Sequence, residues 1–246
     1  MLVWTHPDTF MLGGIEFVCR ALMRGFPSTP ERMLLVKSRW QAEWYEQFLR
    51  HLRPKSVVEV GTFDGASLAM CAEIAQPQRL VGIDLRSEPS RALATYIEQR
   101  GLEDRVRPYY GVDQTDAARL NEILDGEFGD GPLDLVIDDA SHALDATRET
   151  FDILFPRVRP GGVYLVEDWP THRFPQVTRP LASFVFELWL ACSETPDAVA
   201  EMQVNRNYAI VRRGPGALES GEFALSKCYG PRERALLAKE VQAPMT

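Results

Sequence analysis

A stretch of twelve residues, 56–67, constrains the fold of this chain more than any other part of the sequence. It begins with a short run rich in β-branched residues, 57–60, and continues into a turn that contains Gly61 and Gly65. Short apolar runs followed by glycine are typical of buried parallel strands in sheets that helices cover on both faces. The glycines let the backbone bend and a ligand come close, and a helix beginning near Ser67 offers unpaired N–H groups. The stretch therefore predicts a strand, a ligand-binding turn and a helix of an α/β fold.

Charge and spacing indicate which ligand this turn binds. The turn has neither the G-x-G-x-x-G pattern of dinucleotide sites nor the G-K-[ST] pattern of phosphate loops. Glu59 lies inside the apolar run, where a carboxylate is costly to bury unless a cation or hydrogen-bond donors meet it. An ammonium or sulfonium ligand would supply that charge, whereas a pyrophosphate would be repelled. Asp84 follows Gly65 by nineteen residues and closes a second apolar run, 80–83, which is a position suited to ribose hydroxyls.

The pattern E-x-G-x-x-x-G, formed by Glu59, Gly61 and Gly65, resembles that of the S-adenosylmethionine-dependent methyltransferases of the doubly wound class. The resemblance implies an α/β fold with a mostly parallel, Rossmann-like seven-stranded sheet and an antiparallel terminal hairpin. An ordinary turn with a satisfied glutamate is the alternative. The resemblance also implies that Asp113 contacts the adenine, although a helix N-cap explains Asp113 equally well. The residues expected to bind the cofactor are Glu59, Gly61, Thr62, Gly65, Ser67, Asp84, Asp113 and Asp138.

Composition limits the partners of the protein. A chain of 246 residues with 45% hydrophobic content can bury one large core. The net charge of −8 argues against nucleic acid, because phosphate binding needs a basic surface. The four cysteines are scattered, and no apolar run reaches the length of about eighteen residues that a membrane span needs. We therefore expect a cytoplasmic protein that does not bind a membrane and that acts on a small or uncharged acceptor.

The chain is expected to divide into an N-terminal helical cap or lid, 1–54, and a methyltransferase domain, 55–246. Helical spacing of aromatic and leucine residues predicts a helix over 40–52, and 11–24 is also expected to be helical. Towards the end of the chain, a hairpin is predicted over 201–213. A helix over 231–241 is assigned to a homodimer contact.

Acidic residues follow two successive predicted strands. The first, an apolar strand that begins at Leu133, ends in Asp138 and Asp139, and the next, 162–166, is followed by Glu167 and Asp168. Successive strands of a parallel sheet are usually neighbours, and ligands bind at the carboxyl edge of such sheets. The four carboxylates should therefore crowd together at that edge.

Crowded carboxylates raise one another's pKa, and a divalent cation relieves this repulsion. Oxygen ligands suit magnesium or calcium better than zinc, which prefers cysteine and histidine. We predict that Asp139, Glu167 and Asp168 bind Mg²⁺, while Asp138 faces the cofactor or braces the loop. Helix caps and solvated loop acids are the alternative explanation for any single one of these residues.

His142, three residues beyond Asp139, is the candidate general base. A bound metal ion lowers the pKa of a hydroxyl, and a neutral imidazole within hydrogen-bond reach can then accept its proton. A lone histidine at the start of a helix is more often a capping or surface residue. We predict His142 and Asp139 as catalytic residues because they lie so close together in the chain.

The pairing of D-D-x-S-H with E-D-W, within residues 56–169, resembles the magnesium-dependent sugar O-methyltransferases of bacterial secondary metabolism, of the macrocin and mycinamicin type. It is also similar to the enzymes that methylate mannosides during mycobacterial polysaccharide biosynthesis. In that family the second aspartate of the first motif and both acids of the second hold the metal, and the histidine deprotonates a sugar hydroxyl. The resemblance implies a glycoside, an oligosaccharide or a glycosylated natural product as acceptor. Ala140 stands where several relatives have glycine.

Two other functions remain open from the sequence. A catechol-type O-methyltransferase also uses magnesium and acids at strand ends. A non-catalytic module that binds S-adenosylmethionine would keep the turn but would not need a base. The polar loop 170–175 is expected to line the acceptor site, with His172 or Arg173 in contact with sugar hydroxyls or exposed to solvent.

Overall fold

The computed structural model describes residues 1–20, 26–170 and 181–240. The chain divides into two compact units, Met1–Asp113 and Gln114–Thr246. Within the described ranges, no helix is both long enough and apolar enough to cross a membrane.

The first unit begins with a four-stranded sheet. Its first three strands are antiparallel, and the fourth runs parallel to the third. The expected helix over 11–24 is therefore wrong for residues 11–19, and 21–24 lie outside the described ranges. The strands are β1 (Val3–His6), β2 (Thr9–Leu12), β3 (Ile15–Cys19) and β4 (Arg32–Leu35).

A pair of glycines explains the difference. Gly13 and Gly14 have φ angles of 58° and 81°, which suit a tight two-residue hairpin turn and would break a helix. Across the hairpin, the rings of Phe10 and Phe17 stack at 5.1 Å and are fully buried. The segment expected as a helical cap is thus a small sheet followed by one helix, and its role as a lid stays a prediction.

The helix predicted over 40–52 is confirmed as α1 (Arg39–Leu52). Ser38 and Gln41 form a reciprocal capping box at its start. Its buried face contains Tyr45 and Leu49, whereas Trp40 at its start is exposed.

The rest of the first unit alternates strand and helix. Its three strands are parallel neighbours, and the first two contain the apolar runs 57–60 and 80–83 that were identified in the sequence. The elements are β5 (Ser56–Val60), α2 (Ala66–Ala75), β6 (Arg79–Asp84), α3 (Arg91–Arg100) and β7 (Val106–Tyr110).

The second unit continues the alternation of strand and helix, and its last two strands form the predicted hairpin. β8 and β9 are parallel, β11 pairs antiparallel with β9, and β10 pairs antiparallel with β11. The helix expected near the end of the chain is confirmed, but a homodimer contact there stays a prediction. The elements are α4 (Ala117–Phe128), β8 (Leu133–Asp138), α5 (Leu144–Leu154), β9 (Val158–Glu167), α6 (Ala182–Glu194), β10 (Val199–Val204), β11 (Tyr208–Arg213) and α7 (Pro231–Glu240).

The larger sheet contains seven strands in the order β10-β11-β9-β8-β5-β6-β7. Helices connect five of these strands, β5 to β9, in chain order. The last two strands, β10 and β11, form the antiparallel edge of the sheet. The predicted α/β fold with a mostly parallel sheet and a terminal hairpin is confirmed.

Aromatic side chains form the core of the second unit. Phe151 packs against Tyr164 and Phe184, with ring centroids 4.8 and 5.5 Å away. The same helix that supplies Phe184 exposes Phe186 and Trp189, whose rings stack at 5.6 Å. The helix that contains these residues, 182–194, therefore has one face in the core and another face exposed to solvent.

Candidate active site

The turn between β5 and α2 is built from left-handed residues. Gly61, Phe63 and Gly65 have φ angles of 88°, 47° and 82°. A left-handed conformation is readily adopted by glycine but is strained for phenylalanine, and such strain is often found at functional sites. Gly65 is the N-cap of α2 and offers no side-chain cap to its first turn. The backbone N–H groups of that turn are thus not occupied by a capping side chain.

Gly65 also has a packing role. A Cβ atom placed there would lie 2.6 Å from Cδ2 of Leu93 in α3. The glycine that the sequence indicated for close approach of a ligand is therefore required by a neighbouring helix as well.

Asp84 ties this turn to the end of β6. Its Oδ2 accepts hydrogen bonds from the Phe63 N–H at 2.7 Å and from the Thr62 hydroxyl at 3.3 Å. Its Oδ1 accepts from the backbone N–H of Arg86 at 2.8 Å. Asp84 is buried, and its carboxylate is fixed beside the turn. The structure thus brings together the turn and the acid that were predicted to bind one cofactor.

Arg86 was not singled out in the sequence. Its Nε lies 3.3 Å from Asp84 Oδ1, its Nη1 lies 3.4 Å from Asp64 Oδ1, and its guanidinium covers the Phe63 ring at 4.9 Å. The neighbouring Leu85 is 68% exposed. A basic residue two positions after the strand-end acid was the only available signal.

The remaining predicted cofactor residues of the first unit lie at different depths. Glu59 is 1% exposed and stands opposite Gly82 in the strand register, while Ser67 is half-buried in the first turn of α2. Asp113 is exposed, and the preceding Val112 donates its N–H to the Asp84 carbonyl at 3.0 Å. Asp116, and not Asp113, caps α4. Their contacts with a cofactor stay predictions.

The acids of the second unit meet at the ends of β8 and β9. The two strands are parallel neighbours with Asp138 opposite Val166, so the expected adjacency is confirmed. Asp139, His142 and Asp168 each offer a ligand atom, and these three atoms all lie within 4.8 Å of one another. Two ligand atoms on one magnesium ion are at most about 4.2 Å apart, so small side-chain movements would close the group on an ion. The three residues therefore fit a divalent cation.

Glu167 does not belong to this group in the part of the chain that the structure describes. It is the last residue of β9, is 1% exposed and pairs with Tyr208 of β11. Asp168 has a φ angle of 47° and so leaves the strand geometry. The structure thus groups His142, the predicted base, with two of the three predicted ligands, and a ligand role for Glu167 stays a prediction.

Asp138 lies beneath the cluster. It is 3% exposed, and its Oδ2 accepts a hydrogen bond from the Tyr164 hydroxyl at 3.0 Å. Burial raises the pKa of this carboxyl to about 7, although the hydrogen bond from Tyr164 opposes that shift. The hydrogen bond ties the end of β8 to β9, and both expected roles of Asp138, bracing the loop and facing the cofactor, stay predictions.

A buried amide anchors the loop that carries Asp139 and His142. Gln114 accepts a hydrogen bond from the Ser141 N–H at 3.1 Å and donates to the Thr150 hydroxyl of α5 at 2.8 Å. His142 has a left-handed φ angle of 54°, which such an anchor helps to hold. Gln114 was not singled out from the sequence. His172 and Arg173, expected at the acceptor site, lie outside the described residues.

Residues 58–169, from within β5 to just after the second acidic pair, match a protein family described as "Methyltransferase domain". These residues form a methyltransferase domain. The methyltransferase domain thus contains the glycine turn, Asp84 and the three grouped residues Asp139, His142 and Asp168.

Named relatives of the methyltransferase domain include two enzymes of Streptomyces. The 8-demethyl-8-alpha-L-rhamnosyl tetracenomycin-C 2'-O-methyltransferase of Streptomyces olivaceus is 34% identical over 140 residues, which are 53% of this chain and 33% of the relative. The demethylmacrocin O-methyltransferase of Streptomyces fradiae is 28% identical over 188 residues, which are 69% of this chain and 44% of the relative. The chain therefore spans less than half the length of these relatives.

A solved relative has a similar fold. The MycE methyltransferase of the mycinamycin biosynthetic pathway, in complex with Mg, SAH and mycinamycin VI, superposes with a TM-score of 0.58 at 27% identity. The match covers 71% of this chain and 50% of that one. The chain thus shares its fold with a methyltransferase whose structure contains Mg and SAH.

Proposed function

We propose that this protein transfers the methyl group of S-adenosylmethionine to a sugar hydroxyl in a magnesium-dependent reaction. The observation that carries the proposal is the grouping of Asp139, His142 and Asp168 within 4.8 Å at the ends of two parallel strands of a methyltransferase domain. A cofactor-binding module without chemistry would not need a histidine within a pair of acids.

The residues of the first unit are assigned to the cofactor. The turn 61–65 and Asp84 provide backbone donors and a fixed carboxylate, which suit the ribose and the amino-acid part of S-adenosylmethionine. Glu59 would balance the positive charge of the ligand from within β5. This assignment needs no basic surface, in agreement with the net charge of −8.

The residues of the second unit are assigned to the cation and the proton. Asp139 and Asp168, with Glu167 as the predicted third ligand, would hold Mg²⁺, which when bound lowers the pKa of a coordinated hydroxyl. His142 would accept the hydroxyl proton, because its Nε2 lies 3.9 Å from Asp139 Oδ1 and thus beside the cation position. Gln114 keeps this loop in place through Ser141.

The sugar acceptor is supported by the relatives. Their names specify a rhamnosyl tetracenomycin and demethylmacrocin, and the solved relative contains mycinamycin VI. An uncharged glycoside also suits an acidic protein better than a phosphorylated acceptor.

A panel of acceptors tests the proposal. The purified protein is incubated with isotope-labelled S-adenosylmethionine and with rhamnosides, mannosides, glycosylated macrolides, phenols or catechols. We expect methylated glycosides, no product after EDTA treatment, and recovery when Mg²⁺ is restored. Methylation of phenols alone would exclude the sugar assignment, and undiminished activity after chelation would exclude the metal.

A further inference from the structure

We propose that Asn207 positions Asp168 and thereby sets the affinity of the cation site. Asn207 donates its Nδ2–H to Oδ1 of Asp168 at 2.8 Å and is 3% exposed. It lies on the turn between β10 and β11, outside the segment 58–169 that matches the methyltransferase family. The inference rests on the proposed function because it assumes that Asp168 is a cation ligand.

The turn that carries Asn207 is itself held in one conformation. The side-chain oxygen of Asn205 accepts the N–H groups of Asn207 at 3.0 Å and of Tyr208 at 2.9 Å. This is the local pattern by which asparagine stabilises a tight turn. The amide of Asn207 is therefore presented by a rigid turn.

The same turn is tied to the chain on both sides of Asp168. Before it, Glu167 pairs with Tyr208 in the ladder between β9 and β11. After it, the indole N–H of Trp169 donates to the Asn205 carbonyl at 2.8 Å. Asp168 itself has a left-handed φ angle of 47°, so its neighbours and Asn207 together hold a strained residue in place.

The chemistry of an amide suits this role. A donor on one carboxylate oxygen fixes the orientation of the carboxylate plane, and groups that orient metal ligands affect metal affinity by about 10–100-fold. Asn207 is neutral, so Asp168 keeps its full negative charge for the cation. A lysine or arginine in the same place would compete with the ion.

The test measures cation binding without turnover. Titration of Mg²⁺ into the protein by calorimetry, or of Mn²⁺ by electron paramagnetic resonance, is compared for the wild type, Asn207→Ala and Asn207→Ser. We expect the dissociation constant to rise by about 10–100-fold in Asn207→Ala and by less in Asn207→Ser, because serine keeps a shorter donor. The affinity for S-adenosylmethionine should stay within about twofold, since its predicted contacts are elsewhere. Asn121→Ala, which removes an amide on α4 that bonds the Ala117 carbonyl, is the matched control and should change neither affinity.

Rescue by excess cation separates positioning from a merely structural role. Saturating Mg²⁺ should restore the turnover of Asn207→Ala but not that of Asp168→Ala. Unchanged cation affinity in Asn207→Ala, or a joint loss of cation binding, cofactor binding and thermal stability in both Asn207 variants, overturns the inference. A wild type that binds no Mg²⁺ overturns the proposed metal site as well. Weaker Mg²⁺ binding by Asn207→Ala supports the inference even where the acceptor panel identifies no sugar.

Discussion

The side chain of Arg86 donates a hydrogen bond from its Nε to Oδ1 of Asp84 at 3.3 Å. Both oxygens of Asp84 already accept hydrogen bonds from backbone N–H groups, those of Phe63 and Arg86. Arg86 is the more exposed partner of this ion pair, since 39% of its side chain is accessible against 9% for Asp84, although its Nη2 is buried. A ribose hydroxyl that binds Asp84 would therefore displace the side chain of Arg86 more readily than the backbone donors.

The first prediction concerns this displacement. Arg86→Gln should bind S-adenosylmethionine about two- to fivefold more tightly, because an ion pair with one exposed partner is worth about 0.2–1 kcal/mol and the variant need not break it. The gain should be smaller for S-adenosylhomocysteine, which lacks the sulfonium charge that Arg86 repels. Calorimetry with both ligands measures the difference, and Arg91→Gln at the exposed start of α3 is the control. Weaker binding of both ligands would instead mean that Arg86 contacts the cofactor.

Gly65→Ala should lower the free energy of unfolding by about 2–4 kcal/mol. The new Cβ would lie 2.6 Å from Leu93 Cδ2, and the residue has a φ angle of 82° that strains an L-residue. Gly101→Ala separates the two causes, because Gly101 has a φ angle of 58° with open space around it, so only the strain of about 1–2 kcal/mol applies. Urea unfolding measures both variants. Equal losses in the two variants would show that the contact with Leu93 has no effect.

His142→Gln and Asp139→Asn should separate the base from the ligand. A general base contributes about 10²–10⁴-fold to turnover, so His142→Gln should lose that factor and keep its Mg²⁺ affinity. Asp139→Asn should lose turnover and Mg²⁺ affinity together. The two variants should bind S-adenosylmethionine as the wild type does. His51→Gln, an exposed histidine of α1, is the control for both measurements. A large loss of cation affinity in His142→Gln would assign His142 as a ligand.

Asp152→Asn should change how stability depends on pH. Burial raises the pKa of Asp152 to about 6 from its ordinary value of 3.8, while Glu187 also raises it and Arg148 and Lys227 lower it. Between these two values the folded state holds a proton that the unfolded state has lost, so the free energy of unfolding contributed by this group falls as pH rises from about 4 through 6.

Asp152→Asn removes this loss of stability at higher pH. The asparagine also keeps an acceptor for the Leu225 N–H, which Asp152 Oδ1 binds at 2.8 Å. Because Asp152 is partly exposed, we expect Asp152→Asn to be about 1–2 kcal/mol more stable than the wild type at pH 8 and equal to it near pH 4. Urea unfolding over this range, with the exposed Asp130→Asn as control, measures the effect. Parallel curves for the wild type and Asp152→Asn would contradict it.

Local signals made much of the fold predictable. Apolar runs that end in glycine or acid located β5, β6, β8 and β9, because buried strands need continuous apolar residues and turns need special residues. The same kind of signal was overlooked at Gly13 and Gly14, where a hairpin turn outweighs the helical propensity of the flanking residues.

The candidate site was predictable only in part. That the acids after β8 and β9 would be neighbours followed from chain order, since successive parallel strands usually pair. Which side chains face one another did not follow. His142 lies with Asp139 and Asp168, and both His142 and Asp168 have left-handed φ angles that no pattern in the sequence indicated.

By itself, the sequence determined the α/β alternation, the glycine turn and the acids at two strand ends, because these features depend on residues close together in the chain. Only the tertiary structure decided which side-chain amides form hydrogen bonds with the loops that carry the site. Gln114 meets Ser141 across 27 residues and Asn207 meets Asp168 across 39 residues. Such contacts exist only after the sheet has paired β9 with β11 and packed its loops, and no periodicity or motif in the chain specifies them.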